Sequence, residues 1–575
     1  MKKVILFTVA ICIAGFSRAQ TNMLSTNPVA EQVVLGNYNP ATYQPATVID
    51  KAADISQGIM TNVSPDSLKS YLEMLQTFET RHTASDTVSA TRGIGAARRW
   101  IYSKLEQFSA RNENRLIASY LQFDQQICSV NQHRNVFAVL PGSDVTDNSV
   151  MIIEAHFDTR CAGDCDTACL AQGMEDNGSG TALVMELARV MSKYSFKHTL
   201  VFILTTSEEQ GLNGARAFAQ YCKQKGIKIK GVFNNDVVGG IICGQTASPP
   251  GCMGAGTIDS TNLRIFSGGN FDSPHKQLAR FIKLEYKEML RPIVNIPMTI
   301  NIMTPLDRTG RGGDHIPFYD ENYTSIRFCS ANEHGDGGGG NPNYSDRQHT
   351  SDDILGVDTD NDQVIDSFFV DFNYLGRMSV INGNAMAMAA IGPKTPTFEM
   401  SMDPLGFTAY ITSEKQYGKY RVAVRSTTQD WDSVYTITGD YGYIHVGAIG
   451  PRYVSVASVD AEGVESLFSG EKIARVGVND PAYEQQPVEL MQNHPNPFDG
   501  ETIISVLANE KMKDADAYIS IADIAGKEIK RLKITLNPGM NEVSYEHGYN
   551  VAGTFIYTLV VNGRKLQSRR MVFTN

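Results

Sequence analysis

The sequence predicts an α/β domain with a mostly parallel sheet sandwiched by helices, followed by two small all-β sandwich modules. Apolar strands alternate with amphipathic helices over residues 63–392, the pattern of a parallel sheet covered on both faces. After Pro393 and Pro396 the chain changes to short alternating runs separated by turns, which is typical of β-sandwiches. At 575 residues the chain is long enough for several domains.

The first 19 residues have the composition of a signal peptide. Two lysines precede an apolar stretch from Val4 to Phe16, and small residues surround the expected cleavage after Ala19. We therefore expect the protein to be exported. Residues 20–62 are polar and aperiodic, and we expect an extended N-terminal arm there.

The α/β domain begins at Ser64, because a serine followed by Pro65 favours a helix start with an N-cap and proline at N1. A second helix is predicted around Ile94 to Phe108. The next predicted elements are strands at Asn135–Leu140 and Ser149–Ala155, a helix at Gly180–Ser192, a strand at Thr199–Thr205, a helix at Ala215–Lys225, strands at Val232–Asn234 and Thr324–Phe328, and a helix at Asp366–Ile391.

Two β-rich modules follow. Residues 398–478 resemble fibronectin type III domains only in their strand rhythm. A Pro/Gln linker then leads to residues 488–575. The predicted strands are Tyr420–Val424, Ser433–Thr438 and Tyr453–Ser458 in the first module, and Thr502–Leu507, Ala517–Ile521 and Thr554–Val561 in the second.

Charge and hydropathy exclude two classes of protein. The net charge is −11 and no run of Lys or Arg is longer than a pair, so the basic surface of a nucleic-acid-binding protein is missing. After the signal peptide no stretch approaches the ~18 consecutive apolar residues of a membrane span. Of the nine cysteines, only Cys12 lies in the signal peptide, and the other eight predict disulfides in an exported chain. Cys243 and Cys252 are the best local pair.

Residues with metal-ligand chemistry recur where predicted strands end. His156, the pair Glu208-Glu209, and Asp236 each follow a buried strand, while Asp176 and His349 lie in loops. Because the carboxyl ends of parallel strands meet at one rim, these side chains should lie close together. Imidazole and carboxylate are zinc ligands, so the pattern predicts a metal site.

Two metal ions close together need a shared anion, and Asp176 is suited to bridging them. Of Glu208 and Glu209, one can bind metal while the other takes a proton from water. Asp158 is placed to accept the second imidazole N–H of His156. Taken singly, each motif has a structural interpretation: the Asp176 string is typical of a turn, and the Glu pair can complement a helix dipole.

The ordered set of motifs resembles peptidase family M28, the co-catalytic di-zinc aminopeptidases. The motifs are His156-Phe-Asp158, Gly173-Met-Glu-Asp176-Asn-Gly-Ser-Gly180, Ser207-Glu208-Glu209-Gln-Gly211-Leu, Asn235-Asp236 and His349-Thr-Ser-Asp352, with Arg81-His-Thr-Ala-Ser85 upstream. The resemblance implies the phosphorylase/hydrolase-like fold of zinc exopeptidases. It also implies a cis peptide after Asp176, and it makes Asp314-His315 part of the pocket wall rather than metal ligands.

The resemblance implies a role for each residue: Asp176 bridges two Zn²⁺, His156 and Asp236 complete one zinc site, Glu209 and His349 complete the other, Glu208 is the general base, and Asp158 orients His156. The expected function is a secreted aminopeptidase that hydrolyses peptides through a zinc-bridging hydroxide. Alternatives on the same fold are a carboxypeptidase or dipeptidase, and a glutaminyl cyclase with a single zinc. A rival from another class is a surface adhesin with a catalytically dead α/β domain.

Two loops depart from the general pattern. The segment between His156 and Asp176 contains Cys161, Cys165 and Cys169, and we expect a disulfide-stapled loop rather than an extra metal site. The alternating acids from Asp358 to Asp366 suit Ca²⁺ but lack the glycine of an EF-type loop. A solvated acidic loop is the favoured interpretation, with calcium as the alternative.

The C-terminal module resembles the sorting domain of type IX secretion. Its motifs are Leu490-Met-Gln-Asn-His-Pro-Asn-Pro-Phe498, Gly553-Thr-Phe-Ile-Tyr557 and a basic ending from Arg564 to Arg570. This resemblance implies export through the periplasm, recognition of the tail by the type IX secretion machinery, and an enzyme at the cell surface or in the medium. The alternative is another β-sandwich that binds carbohydrate or protein.

Overall fold

The structure is a computed structural model. It describes residues 20–243, 256–269, 272–308, 311–331, 347–403, 405–446, 451–475, 488–493, 496–498, 500–508, 510–513, 515–548 and 552–574. The predicted signal peptide, residues 1–19, and Cys252 of the predicted Cys243–Cys252 pair lie outside the described residues, as do His494 and Pro495 of the sorting motif.

A large mixed sheet forms the centre of the N-terminal domain. Its described strands are β1 (Thr21–Ser25), β2 (Ile117–Ile127), β3 (Val130–Leu140), β4 (Val150–His156), β5 (Thr199–Thr205), β6 (Ile229–Asn235), β7 (Asn262–Ser267), β8 (Thr299–Met303) and β9 (Ser325–Ser330). They lie in the order β1-β2-β3-β5-β4-β6-β9-β7-β8. A short ribbon of β10 (Gly356–Val357) and β11 (Ser367–Phe368) lies apart from this sheet.

The middle of the sheet is parallel, antiparallel pairings join it to the strands on either side, and the edge pair β7–β8 is again parallel. Strands β5, β4, β6 and β9 run in parallel, with every residue of β4 and β5 buried. Pairings β1–β2, β2–β3, β3–β5 and β9–β7 are antiparallel. A hairpin turn of only two residues, Cys128 and Ser129, joins β2 to β3, and so short a connection allows only antiparallel pairing. The α/β fold class is therefore correct, with a more mixed sheet than predicted.

Helices cover both faces of the sheet. They are α1 (Pro28–Val34), α2 (Ala52–Asn62), α3 (Pro65–Gln76), α4 (Gly93–Arg111), α5 (Ser179–Met191), α6 (Asn213–Lys225), α7 (Pro274–Glu285), α8 (His315–Asp320) and α9 (Phe372–Ile391). Buried side chains of α2, α3, α4, α5, α7 and α9 form one core, and those of α1, α6 and α8 form a second core on the other face. In the described part, no helix combines the length and hydropathy of a membrane span.

The N-terminal segment is folded, so the expected extended arm over residues 20–62 is wrong. Strand β1 pairs with β2, and helices α1 and α2 pack on the domain. Val33 of α1 is buried in one core and Ile59 of α2 in the other. These few apolar residues were too sparse to show a helical period, but burial against an existing core stabilises short helices.

The last helix of the domain begins at Phe372, and the predicted start at Asp366 is wrong. Asp371 is the N-cap, because its Oδ1 accepts a hydrogen bond from the Tyr374 amide at 2.7 Å. Asp366 instead accepts bonds from the amide and hydroxyl of Thr359 at 3.0 and 2.7 Å. The N-cap predicted at Ser64 is present, with Ser64 Oγ 3.2 Å from the Ser67 amide.

Two further pairs of sheets follow the α/β domain. In the first module, β12 (Phe398–Met402), β13 (Gly406–Ile411) and β16 (Tyr441–His445) form one sheet, and β14 (Lys419–Arg425), β15 (Ser433–Thr438), β17 (Pro451–Ser458) and β18 (Lys472–Arg475) form another. In the second module, β19 (Val488–Leu490), β20 (Glu501–Ala508) and β23 (Gly539–Glu546) form one sheet, and β21 (Asp516–Asp523), β22 (Glu528–Thr535), β24 (Gly553–Val561) and β25 (Arg564–Phe573) form another.

Candidate metal centre

The predicted ligands meet where three neighbouring parallel strands end. His156 is the last residue of β4, the pair Glu208-Glu209 follows β5, and Asp236 follows β6. Strand β4 lies between β5 and β6, so the three carboxyl ends are adjacent, as expected for a ligand site in an open α/β sheet. Asp176 comes from the turn that precedes α5, and His349 from a loop later in the chain.

Asp176 lies between two histidines and faces each of them with a different oxygen. Its Oδ1 is 3.2 Å from His156 Nε2, and its Oδ2 is 3.1 Å from His349 Nε2. Asp236 Oδ1 is 3.4 Å from the same His156 nitrogen, and Glu209 Oε2 is 3.1 Å from the same His349 nitrogen. The side chains thus form two groups of three that share Asp176, with ligand atoms within 4.8 Å of one another in each group.

The donor set fits a divalent metal ion in each group. Imidazole nitrogens and carboxylate oxygens are ligands that zinc accepts. Glu209 Oε1 is buried and has no hydrogen-bond partner among the described residues. A buried carboxylate is costly unless a cation or a donor compensates its charge. The peptide bond between Asp176 and Asn177 is cis, as the family resemblance implies.

Asp158 supports the site in a different way from the one predicted. The Nδ1 of His156 is 3.1 Å from the backbone carbonyl of Asp158 but 3.7 Å from its carboxylate. The carboxylate instead accepts the backbone N–H groups of Glu208 and Glu209 at 3.1 and 3.3 Å, and the Thr83 hydroxyl at 3.1 Å. Asp158 therefore orients His156 through its main chain and fixes the Glu208-Glu209 turn through its side chain.

Glu208 has the proton affinity that an acid–base group needs. Desolvation, together with the neighbouring carboxylates of Asp236 and Glu209, raises the pKa of its carboxyl to about 8 against the opposing charge of His156. A carboxyl that titrates near neutral pH can both accept and return a proton. Ser207, which precedes Glu208, has a φ of 58°, a conformation uncommon for residues other than glycine.

Asp353, which the sequence analysis did not single out, holds the turn that carries Asp176. Its Oδ1 accepts the Glu175 amide at 2.8 Å and its Oδ2 accepts the Asp176 amide at 2.9 Å. Burial raises the pKa of Asp353 to about 7. Asp353 directly follows the His349-Thr-Ser-Asp352 motif, and this adjacency was the one available signal, because the contact itself spans 177 residues of sequence.

Arg81 ties the same turn to the end of β4. Its guanidinium donates to the carbonyls of Phe157 at 2.7 Å and Gly173 at 2.9 Å, and also to that of Gln172. Gly173 has a φ of 56°, and an added Cβ would lie 2.2 Å from the Thr159 side chain. Arg81 was recognised in the sequence only as part of an upstream motif, because its partners are backbone atoms that leave no side-chain pattern.

Arg327 lies on the side of Asp236 away from His156. Its Nη2 is 3.0 Å from Asp236 Oδ2, and its Nη1 is 2.9 Å from Asp307 Oδ1. Asp314 and His315, assigned to the wall of the site, belong to neither ligand group. Asp314 accepts a hydrogen bond from the Thr205 hydroxyl, and His315 Nε2 is 2.9 Å from the Leu306 carbonyl.

The cysteine-rich loop beside the site is held by two disulfides, Cys161–Cys169 and Cys128–Cys165. All three cysteines of the loop are therefore paired, and none is left to bind an extra metal ion. Arg160, at the start of this loop, reaches the second ligand group. Its Nε donates to Glu209 Oε2 at 2.9 Å, and its Nη2 is 3.0 Å from His349 Nδ1.

The acidic loop considered for calcium brings Asp358, Asp360 and Asp366 together. Its carboxylates accept local hydrogen bonds: Asp358 binds the amides of Asn361 and Gln363, each at 2.7 Å. These hydrogen bonds account for the conformation of the loop without a cation. The exposed acidic side chains therefore do not support a calcium site.

Sequence and structure comparisons place these observations among known proteins. The profile described as peptidase family M28 matches residues 135–245. A probable zinc metalloprotease of Phaeosphaeria nodorum is 32% identical over 303 residues, 48% of this chain and 60% of that relative, which is less than two thirds of its length. One of Pyrenophora tritici-repentis is 31% identical over 355 residues, 59% of this chain and 77% of the relative. The solved LapA aminopeptidase of Legionella pneumophila is 20% identical, with a TM-score of 0.42 over 60% of this chain and 77% of that structure.

Proposed function

Because the chain belongs to peptidase family M28, we propose that it is a secreted exopeptidase that uses two zinc ions to remove N-terminal residues from peptides. The observation that carries this proposal is the position of Asp176, whose two oxygens face different histidines. A carboxylate shared by two ligand groups is what co-catalytic metal ions need. His156 and Asp236 would complete one site, and Glu209 and His349 the other.

The chemistry divides between the ions and Glu208. Bound zinc supplies a Lewis acid for the scissile carbonyl and lowers the pKa of water. Glu208 takes a proton from the attacking water and then donates it to the nitrogen of the leaving amine. Burial raises the pKa of Glu208, which favours proton uptake by this carboxylate. Asp158 keeps this base in place by binding the backbone of Glu208 and Glu209.

The order of the ligand motifs, which resembles that of di-zinc aminopeptidases, supports cleavage at the N-terminus. One observation favours a carboxypeptidase or dipeptidase as the second candidate. The side chain of Arg160 is 19% exposed, against 12% for His349 and 3% for Glu209. A guanidinium on the solvent side of the ligand group is suited to bind a peptide carboxylate.

The deciding experiment measures zinc content and hydrolysis of aminoacyl chromogenic substrates by the purified mature protein, with N-acetylated substrates as controls. The proposal predicts about two zinc ions per chain, activity lost on chelation, and no cleavage of the blocked substrates. Cleavage of blocked substrates with free C-termini would favour the carboxypeptidase. Cyclisation of N-terminal glutamine with a single zinc would favour a glutaminyl cyclase. Absence of both zinc and turnover would favour the alternative of a non-catalytic surface adhesin.

We also propose that the chain crosses the periplasm and that the type IX secretion machinery recognises residues 488–575. The two disulfides support an oxidising destination, and the motifs of the tail support recognition by that machinery. The test compares full-length protein with a chain truncated after Gln486 in a bacterium that has type IX secretion. The full chain should reach the surface or medium, and the truncated one should stay in the periplasm. Equal secretion of both would contradict this role.

A further inference from the structure

The disulfide-stapled loop, residues 160–172, is fixed against the site at several points. Cys161–Cys169 closes the loop on itself, and Cys128–Cys165 ties it to the β2–β3 turn. His82 Nε2 is 3.0 Å from the Asp164 carbonyl. Arg160 Nη1 donates to the Asp164 carboxylate at 2.7 Å. Because the disulfides hold the loop and the Asp164 carboxylate binds the guanidinium, Arg160 stays beside the second ligand group.

Arg160 contacts Glu209 and His349, the same side chains that would hold a metal ion in the second ligand group. Its Nε donates to Glu209 Oε2, the oxygen that faces His349 Nε2 at 3.1 Å. Its Nη2 lies 3.0 Å from His349 Nδ1. A metal ion on Nε2 leaves the imidazole proton on Nδ1, and two N–H donors would then face each other across this contact. The present contacts of Arg160 therefore oppose metal binding through Glu209 Oε2 and His349 Nε2, whereas Glu209 Oε1 has no hydrogen-bond partner among the described residues.

The first ligand group has no such conflict. Arg327 also binds a ligand carboxylate, but at Asp236 Oδ2, whereas Asp236 Oδ1 faces His156 at 3.4 Å. The oxygen that faces the histidine thus stays available to a metal ion. Each group therefore contains one arginine, and only the arginine of the second group binds the oxygen that faces the metal position.

We propose that Arg160 competes with the second metal ion, so that the site formed by Asp176, Glu209 and His349 binds zinc more weakly than the site formed by His156, Asp176 and Asp236. The inference rests on the proposed two-zinc function. It makes the stapled loop a determinant of metal occupancy, because Arg160 of this loop donates to the Glu209 oxygen that faces His349, whereas Arg327 donates to the Asp236 oxygen that does not face His156. A guanidinium bound to a ligand oxygen opposes binding of a divalent ion to the same oxygen, because the two charges have the same sign.

The test measures the two zinc dissociation constants of the full chain by competition with a chromogenic chelator. In Arg160→Gln, which removes the positive charge, the weaker dissociation constant should fall on the order of 10-fold, because like-charge repulsion of the ion is lost. The tighter constant should change little. Arg160→Lys keeps the charge and should retain the weak site. Arg531→Gln is the matched control, because Arg531 pairs with Glu528 on the distant C-terminal module and should leave both constants unchanged.

A second variant tests the loop without touching Arg160. Replacing Cys161 and Cys169 together by serine frees the loop and should also tighten the weaker site, provided that circular dichroism shows an intact fold. An unchanged or weaker second site in Arg160→Gln would overturn the inference, because Arg160 would then only position the ligands. Binding of a single zinc by every form would instead refute the two-zinc proposal. One zinc in the wild type and two in Arg160→Gln would support competition by Arg160 but would contradict the proposal that the wild type uses two zinc ions.

Discussion

Glu471 accepts a hydrogen bond from Arg280 at 3.0 Å, and this buried pair joins the α/β domain to the first β module. Arg280 lies on α7, and Glu471 lies directly before β18. A second guanidinium, Arg425 of β14, donates to both oxygens of Glu471 at 2.7 Å. One fully buried carboxylate therefore compensates the positive charges of two arginines, one from the α/β domain and one from the first β module.

We predict that Glu471→Gln destabilises the protein by about 3–5 kcal/mol, because it removes the carboxylate that binds two buried guanidinium groups. Urea denaturation measures the loss. The control is Glu399→Gln, whose carboxylate is 68% exposed and pairs with Lys472. It should cost less than about 1 kcal/mol, since exposed ion pairs contribute little. Similar losses of unfolding free energy in the two variants would show that Glu471 contributes no more to stability than an exposed ion pair does.

Glu208→Gln should lower kcat on the order of 10²–10⁴-fold while zinc content stays unchanged, because the amide cannot accept a proton from water. Steady-state kinetics and metal analysis of the same preparation check both parts. Glu73→Gln, on the exposed surface of α3, should behave as wild type. Unchanged turnover in Glu208→Gln would remove this residue from the mechanism, and loss of zinc would mean that it is a ligand.

Asp158→Asn should lower kcat by roughly 10–100-fold. Its amide group would face a backbone N–H of Glu208 or Glu209, which the carboxylate now accepts. The base and one ligand would then be displaced together, so the zinc dissociation constants should also rise. Thr83→Val removes only one donor to the same carboxylate and should have a smaller effect on kcat. An effect of Thr83→Val as large as that of Asp158→Asn would contradict the assigned role.

The residues that form the two ligand groups could be predicted because the sequence itself places them. His156 and Asp236 follow recognisable buried strands, and adjacent parallel strands must end at the same rim. The contacts that hold these residues in place could not be predicted. Asp353 binds backbone amides 177 and 178 residues away in sequence, and Arg160 meets His349 across 189 residues. Only the folded chain specifies such pairings.

The N-terminal segment and Asp158 show two further limits of the sequence. Helices α1 and α2 are short, and a short helix depends on the core it packs against rather than on its own pattern. For Asp158, the spacing to His156 was compatible with contact through either the carboxylate or the carbonyl. The backbone conformation after β4 decides between them, and it brings the carbonyl within 3.1 Å of the imidazole.

Lys276 provides the last prediction, which concerns pH. It is buried on α7, and its Nζ donates to the carbonyls of Met303 at 2.8 Å and Thr304 at 2.6 Å. Burial, together with the charge of Arg280, lowers its pKa to about 7 against the attraction of Glu542 and Glu501. In the unfolded chain the pKa is about 10.4. Between these two values the unfolded state binds more protons than the folded state, so the free energy of unfolding should rise with pH.

The difference in unfolding free energy between wild type and Lys276→Met isolates this effect. The unfolding free energy of the wild type minus that of Lys276→Met should rise from pH 7 to pH 9, with a slope of at most about 1.4 kcal/mol per pH unit. Below pH 7 the curves should run parallel, because Lys276 is then charged in both states. Lys415→Met, at an exposed lysine that pairs with Asp440, should track the wild type throughout. Parallel curves for Lys276→Met up to pH 9 would mean that Lys276 keeps an ordinary pKa, held charged by its two carbonyl partners and by Glu542.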